Sequence, residues 1–187
     1  MYERGFKSWC EKVALQQRLE LRLRPADPLD PVLLAKHLDV LIWTADEVPG
    51  VDRQALKVLT QQDSDSWSAV TLCTGTKDVI IVNPKHRNGR RASDIMHELA
   101  HLIIGHEPAR VDVTDDGLLI LNTFSQDQED EAKWLSGCLL LPRPALLTIR
   151  CQGLEESTAA KRFGVSVPML TYRLRVLGLT KTRTTRR

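Results

Sequence analysis

The sequence predicts an α+β fold, with a small mixed or antiparallel sheet packed among helices and a helical C-terminal segment. Three observations carry this. Short apolar runs of strand character lie mid-chain, at "VLIW" (Val40–Trp43), Ala69–Cys73 and Val79–Val82. Stretches with apolar residues at three- and four-residue steps lie on both sides of them. The length, 187 residues, suits one main core with an appendage and is short for two full domains.

In chain order, Phe6, Trp9, Cys10 and Val13 recur among charged residues and predict a helix over Phe6–Leu23, ended by "RPADPLDP". Asp30 is placed to cap, and Pro31 to occupy the first turn of, a short helix through Leu38. "VLIW" follows as a strand, and a further short helix fits Asp52–Gln61. After the polar turn "QQDSDS", Ala69–Cys73 and Val79–Val82 read as a strand pair around Gly75. The basic loop "NPKHRNGRR" leads into a helix from about Ala92 to Ile104, ended by Gly105. "VDVTDDGLLIL" reads as loop with strand character. Ser125 and Gln128 form a capping box that opens a helix, which Pro142 stops.

Bulk properties exclude several classes. With 26 Lys and Arg against 24 Asp and Glu, the net charge of +2 is too near balance for wholesale nucleic-acid or membrane binding. No apolar run reaches the roughly 20 residues of a membrane helix, and "MYERGFKSWCEK" lacks the apolar stretch of a signal peptide, so a soluble, cytoplasmic protein is expected. Cys10, Cys73, Cys138 and Cys151 are scattered, which argues against a disulfide framework or a cysteine zinc site.

The chemistry concentrates in "MHELAH", Met96–His101. On a helix, His97 and His101 lie four apart on one face, with β-carbons about 6 Å apart, so two imidazoles can converge on one ion. Glu98 is turned about 100° from His97, out of the ligand set but within reach of water at the ion, which is a general base's position. Ile95, Leu99, Leu102 and Ile103 bury one side of this helix, and histidines and a carboxylate beside an apolar face need partners. Catalytic zinc keeps three protein ligands and one open position, so a third ligand must exist. The extended pattern H-E-x-x-H-x-x-G-x-x-H would need glycine at 104 and histidine at 107, where the chain has Ile104 and Glu107, with Gly105 and His106 between. That leaves a carboxylate on the helix after Ser125, either Glu129 or Glu131. Both flank the apolar stripe of Ala132, Leu135 and Leu139, and helical geometry does not separate them.

"VNPKHRNGRR" before "MHELAHLIIGH", and "EDEAKWLSGCLLLP" after it, together resemble the ImmA/IrrE family of metallo-endopeptidases, the last segment being similar to E-x-x-A-N-x-F-A-x-x-L-L-x-P. The resemblance covers about Trp67–Pro142, and "GFKSW" is also similar. It implies a zincin-like metallopeptidase core with zinc held by His97, His101 and Glu129, and Glu98 as the catalytic base. His106 is implied as a substrate or oxyanion contact, and Arg91 matches a family arginine in what reads as a solvated basic loop. Lys133 and Leu135 depart from the family's asparagine and phenylalanine, which bears on the support of the site and not on its ligands.

"STAAKRFGVSVPMLTYRLRVLGL" has the outline of a helix-turn-helix: a helix, a tight turn at Gly164, Ser166 as N-cap, and a second helix to Leu177. Arg173, where an apolar residue normally faces the first helix, and Pro168, in the reading face, favour packing on the core over groove reading. The expected division is thus 1–148, a metallopeptidase domain, and 149–187, a helix-turn-helix-like segment with the basic tail "KTRTTRR". The resemblance implies a zinc endopeptidase whose substrate is a partner helix-turn-helix repressor, its cleavage relieving repression. The alternative is a DNA-binding regulator with a structural metal site, its nucleic-acid contact made weakly through the C-terminal segment. No membrane partner is expected.

Overall fold

A computed structural model of the chain describes residues 2–48, 57, 67–73, 77–86, 88–106, 111–113, 119–121 and 124–180. The fold is α+β. Among the described residues there are seven α-helices: α1 (Phe6–Glu20), α2 (Pro31–His37), α3 (Asn88–Ile104), α4 (Gln126–Leu140), α5 (Arg143–Cys151), α6 (Glu156–Phe163) and α7 (Val167–Val176). Strands β1 (Leu41–Thr44), β2 (Ala69–Cys73) and β3 (Asp78–Val82) form one sheet, and β4 (Val111–Val113) pairs antiparallel with β5 (Leu119–Leu121). The expected helix over Asp52–Gln61, apart from Lys57, the turn at Gly75 and the basic tail lie outside the described residues.

The sheet is mixed, in the order β1-β3-β2. β1 runs parallel to β3 with Leu41 opposite Val79, and β2 runs antiparallel to it with Ala69 opposite Val82. Alternation along β3 gives the two faces different jobs. Ile80 and Val82 join the main core with α3, whereas Val79 and Ile81 join a smaller cluster with Trp43, Val70 and Leu72. Thr71 sits opposite Ile80 and so belongs to the face that looks at α3.

The motif helix α3 begins at Asn88, four residues before the expected Ala92, because the basic "NGRR" continues the helix. It buries Ile95, Met96, Leu99 and Ala100 in the same core as Ala132, Leu135 and Leu139 of α4. α4 opens on the expected capping box, with the Ser125 amide donating to Gln128 Oε1 at 2.9 Å and the Gln128 amide to Ser125 Oγ. Asp30 caps α2 by accepting from the Val32 amide.

Pro142 stops α4 as expected but also starts α5, which the sequence reading did not anticipate. Proline's fixed φ suits a helix start as well as a helix end. Pro142 is the N-cap at φ −67°, and Ala145, Leu146 and Ile149 are buried at helical spacing. The boundary drawn after residue 148 falls inside this helix. Downstream, α6, the left-handed Gly164 at φ 64°, the Ser166 cap and α7 take the expected helix-turn-helix outline. The pair packs on the core: Ala159, Ala160, Phe163, Leu170 and Leu174 belong to the same buried cluster as α3 and α4. A β-carbon on Gly89, in the first turn of α3, would come within 2.8 Å of the Val165 carbonyl carbon and 2.9 Å of the Ser166 nitrogen. The glycine therefore permits a close approach of the α6–α7 turn to the start of the motif helix.

Candidate metal centre

Facing helices bring three donors together. His97 and His101, one turn apart on α3, point their Nε2 atoms at each other, 3.1 Å apart. Glu129, in the first turn of α4, places Oε2 3.1 Å from His97 Nε2 and Oε1 3.6 Å from His101 Nε2. One ligand atom from each of the three lies within 4.8 Å of the others. Three atoms on a tetrahedron of about 2.05 Å radius are about 3.3 Å apart, so these separations fit a zinc-sized ion. The chemistry of the set fits as well, because two neutral imidazoles and a carboxylate are zinc donors.

Glu129 and Glu131, which helical geometry left open, have different partners. Glu131 lies away from the donor cluster and is 3.1 Å from His106 Nε2. His106 is buried behind His101, its Nδ1 2.9 Å from His101 Nδ1. The turn that ends α3 puts it there. Gly105 adopts φ 85°, and the amide of His106 donates back to the His101 carbonyl at 3.0 Å, which folds the chain against the last turn. The glycine one place later than in the extended zinc motif is what this turn uses at positive φ, and His106 follows it directly. Phe124 closes the site by stacking on the His101 ring at 3.7 Å between centroids and 17° between planes.

Electrostatics follow burial. His101 is 1% exposed, and its pKa is lowered to about 3 by desolvation first, then by His97 and His106, so it is a neutral imidazole around neutral pH. Glu98 is 8% exposed, and its Oε2 accepts a hydrogen bond from Thr71 Oγ1 at 2.7 Å. Burial pushes the Glu98 carboxyl above its usual range; the Thr71 bond and His97 pull it back, while Glu129 and Asp94 add to the rise. His97 and Glu129 line a cleft of about 380 Å³ with Asp94, Asp130, Lys133 and Met169. A bigger cleft, of about 840 Å³, lies elsewhere, between Pro28–Pro31 and Phe163–Val165, and holds none of these donors. Next to the site, His86 Nδ1 is 2.6 Å from Asp94 Oδ2.

Sequence reasoning missed Thr71, Phe124 and the partnership of Glu131 with His106. A threonine in a strand gives no signal of its own. Only the register of β2 against β3 could have pointed Thr71 toward α3.

Two imidazoles and a carboxylate converge between helices as a set that could hold a metal ion, with the buried Glu98 carboxylate beside them. Relatives agree at the level of family: the profile of peptidase family M78, described as the IrrE N-terminal-like domain, matches residues 51–175, and the chain belongs to that family. No curated protein matches it. Among solved structures, a transcriptional regulator of Mycobacterium tuberculosis has a similar fold, with a TM-score of 0.52 and 18% identity over 100% of this chain and 49% of its own. This chain therefore spans about half the length of that protein. Among the described residues, no helix is long and apolar enough to cross a membrane.

Proposed function

We propose that the protein is a zinc-dependent endopeptidase acting in the cytoplasm, and that its substrate is a partner helix-turn-helix repressor whose cleavage relieves repression. The convergence of His97, His101 and Glu129 within 4.8 Å carries this reading. The three side chains would hold the ion, and zinc bound by them supplies Lewis acidity, which acidifies water and polarises a carbonyl. Glu98 stays out of the ligand set. Its Oε2 is held by Thr71, leaving the other oxygen to accept a proton from water and pass it to the departing amine. The cleft that His97 and Glu129 line leaves these two donors accessible from outside, which supports the reading. The fold shared with a transcriptional regulator supports a substrate from that setting.

The reading expects about one zinc per chain after purification with zinc, and cleavage of a candidate repressor followed by intact mass. Glu98→Gln is nearly isosteric, so zinc content and fold should hold while cleavage falls by about 100-fold or more. A variant that cuts at the wild-type rate removes Glu98 as the base. A zinc-loaded wild type that cuts no candidate repressor favours the alternative, a structural metal in a DNA-binding regulator.

A further inference from the structure

We propose that His106 and Glu131 form a proton-ordering relay that sets the tautomer of His101 and holds its Nε2 bare toward the metal pocket. This rests on the metal-site reading above and adds two positioning residues to it.

Donor and acceptor roles follow one another along three contacts. A neutral imidazole has one N–H and one bare nitrogen, so fixing one end of a ring fixes the other. A carboxylate only accepts, so at the outer end Glu131 Oε2, 3.1 Å from His106 Nε2, requires the proton of His106 on Nε2. His106 Nδ1 is then bare. It lies 2.9 Å from His101 Nδ1, and a hydrogen bond there requires the proton of His101 on Nδ1. His101 Nε2 is then the lone-pair nitrogen, and it is the atom that faces His97 and Glu129. With one proton on His106, each contact permits only this arrangement; a second proton on His106 would turn the inner contact round and put the proton of His101 on Nε2.

Burial and packing keep the chain of contacts in register. The His101 and His106 side chains are 1% and 7% exposed, so water does not compete for the nitrogens between them. Phe124 stacks on the His101 ring and resists its rotation, and the Gly105 turn fixes where His106 lands. Histidine ligands commonly give their second N–H to a carboxylate directly. Here a second imidazole is interposed, which lets a carboxylate two residues beyond Glu129 on the same helix orient a ligand on the other helix. Both ring nitrogens of His106 are thereby engaged.

The test uses the full-length protein in two states. Without metal, long-range proton–nitrogen NMR correlation on uniformly labelled protein reads which ring nitrogen of His101 carries hydrogen. The relay expects Nδ1–H in the wild type and in Glu131→Gln, whose amide oxygen still accepts from His106. It expects a mixed or reversed tautomer in Glu131→Leu and His106→Phe. With zinc, competition against a chromophoric chelator should show Glu131→Leu and His106→Phe weakened by about 10–100-fold at unchanged stoichiometry, and Glu131→Gln retaining most of the affinity. His101 protonated on Nε2 in the wild type overturns the relay. So does wild-type zinc affinity in Glu131→Leu, or equal losses in Glu131→Leu and Glu131→Gln. If His106→Phe does not fold by circular dichroism, the wild-type tautomer and the Glu131 pair decide. A wild type that takes up no zinc sinks the metal-site reading instead, and the metal-free tautomer still decides the relay.

Discussion

Removing the Glu11 carboxylate should unlock the C-terminal helices from the rest of the molecule at a cost that can be worked from its contacts. The Arg173 guanidinium on α7 is 1% exposed. Its Nη2 donates to Glu11 Oε1 at 2.8 Å and to the Leu141 carbonyl at 3.1 Å, and its stem crosses Gly137, where a β-carbon would meet its Cδ at 3.0 Å. Glu11 Oε2 also accepts from the Arg143 amide at 2.9 Å, in the first turn of α5. Glu11→Ala leaves a buried cation without its anion, a loss of about 3–5 kcal/mol. At roughly 2–4 °C per kcal/mol for a chain of this size, Tm should fall by about 6–20 °C. Arg173→Met removes the charge and keeps much of the stem, leaving the Leu141 carbonyl without this donor and Glu11 at a site 22% exposed, so it should cost less, about 1–3 kcal/mol. The double variant should be less destabilised than the sum by at least about 1 kcal/mol. Urea unfolding followed by tryptophan fluorescence and circular dichroism measures all three. A Glu11→Ala loss under about 0.5 kcal/mol, or strict additivity, would refute the argument that the pair is a coupled, buried lock.

Two further outcomes test the packing. Gly89→Ala drives a β-carbon into the backbone of Val165 and Ser166, which has no side chain to swing aside, and should cost about 1–3 kcal/mol in the same unfolding assay; a neutral substitution would mean the α6–α7 turn does not press on α3. The thiols of Cys10 and Cys138, pushed up to about 12 mainly by burial, should resist iodoacetamide in the folded protein at pH 8.5, while exposed Cys151 reacts, as peptide mass mapping would show. These two thiols also give a sign for pH. The unfolded chain releases their protons near 9 and the folded chain near 12, so their contribution to stability is intact below about 9 and lost as pH rises from 9 to 12.

The α+β class, the motif helix and both helix caps at Asp30 and Ser125 were legible because each rests on local rules: periodicity, capping side chains and the His-x-x-x-His spacing. Other features were not. The start of α3 at Asn88 lies in "NGRR", where glycine and charge read as loop, and the helix is extended there by tertiary packing of Gly89 under the α6–α7 turn. α5 was hidden because Pro142 ends one helix and begins the next. The split between Glu129 and Glu131 depends on the angle at which α4 crosses α3 and on where Gly105 turns His106, and neither is encoded in the spacing of one helix. Arg173 looked misplaced for a helix-turn-helix because the usual apolar residue faces the partner helix. Its place is explained by a long-range partner, Glu11, 162 positions away.

Arginine partners give the two ends of the chain a common role at the site. α4 must hold Glu129 in its first turn against α3, and its last carbonyls have no intrahelical donors. Two buried guanidiniums supply them: Arg18 of α1 donates to the Leu139 carbonyl at 2.8 Å, and Arg173 of α7 donates to Leu141. Both cations sit at the negative end of the helix, while Asp127 and Glu129 sit at its positive end, so each charge lies where the helix dipole favours it. α4 is therefore fixed at its C-terminus by α1 and α7 and at its N-terminus by the Ser125 cap. A shift of its axis by an ångström would change the 3.1 and 3.6 Å separations between Glu129 and the two histidines. Residues near both termini, far from the donors in sequence, thus help to set how closely the donor atoms of His97, His101 and Glu129 approach one another.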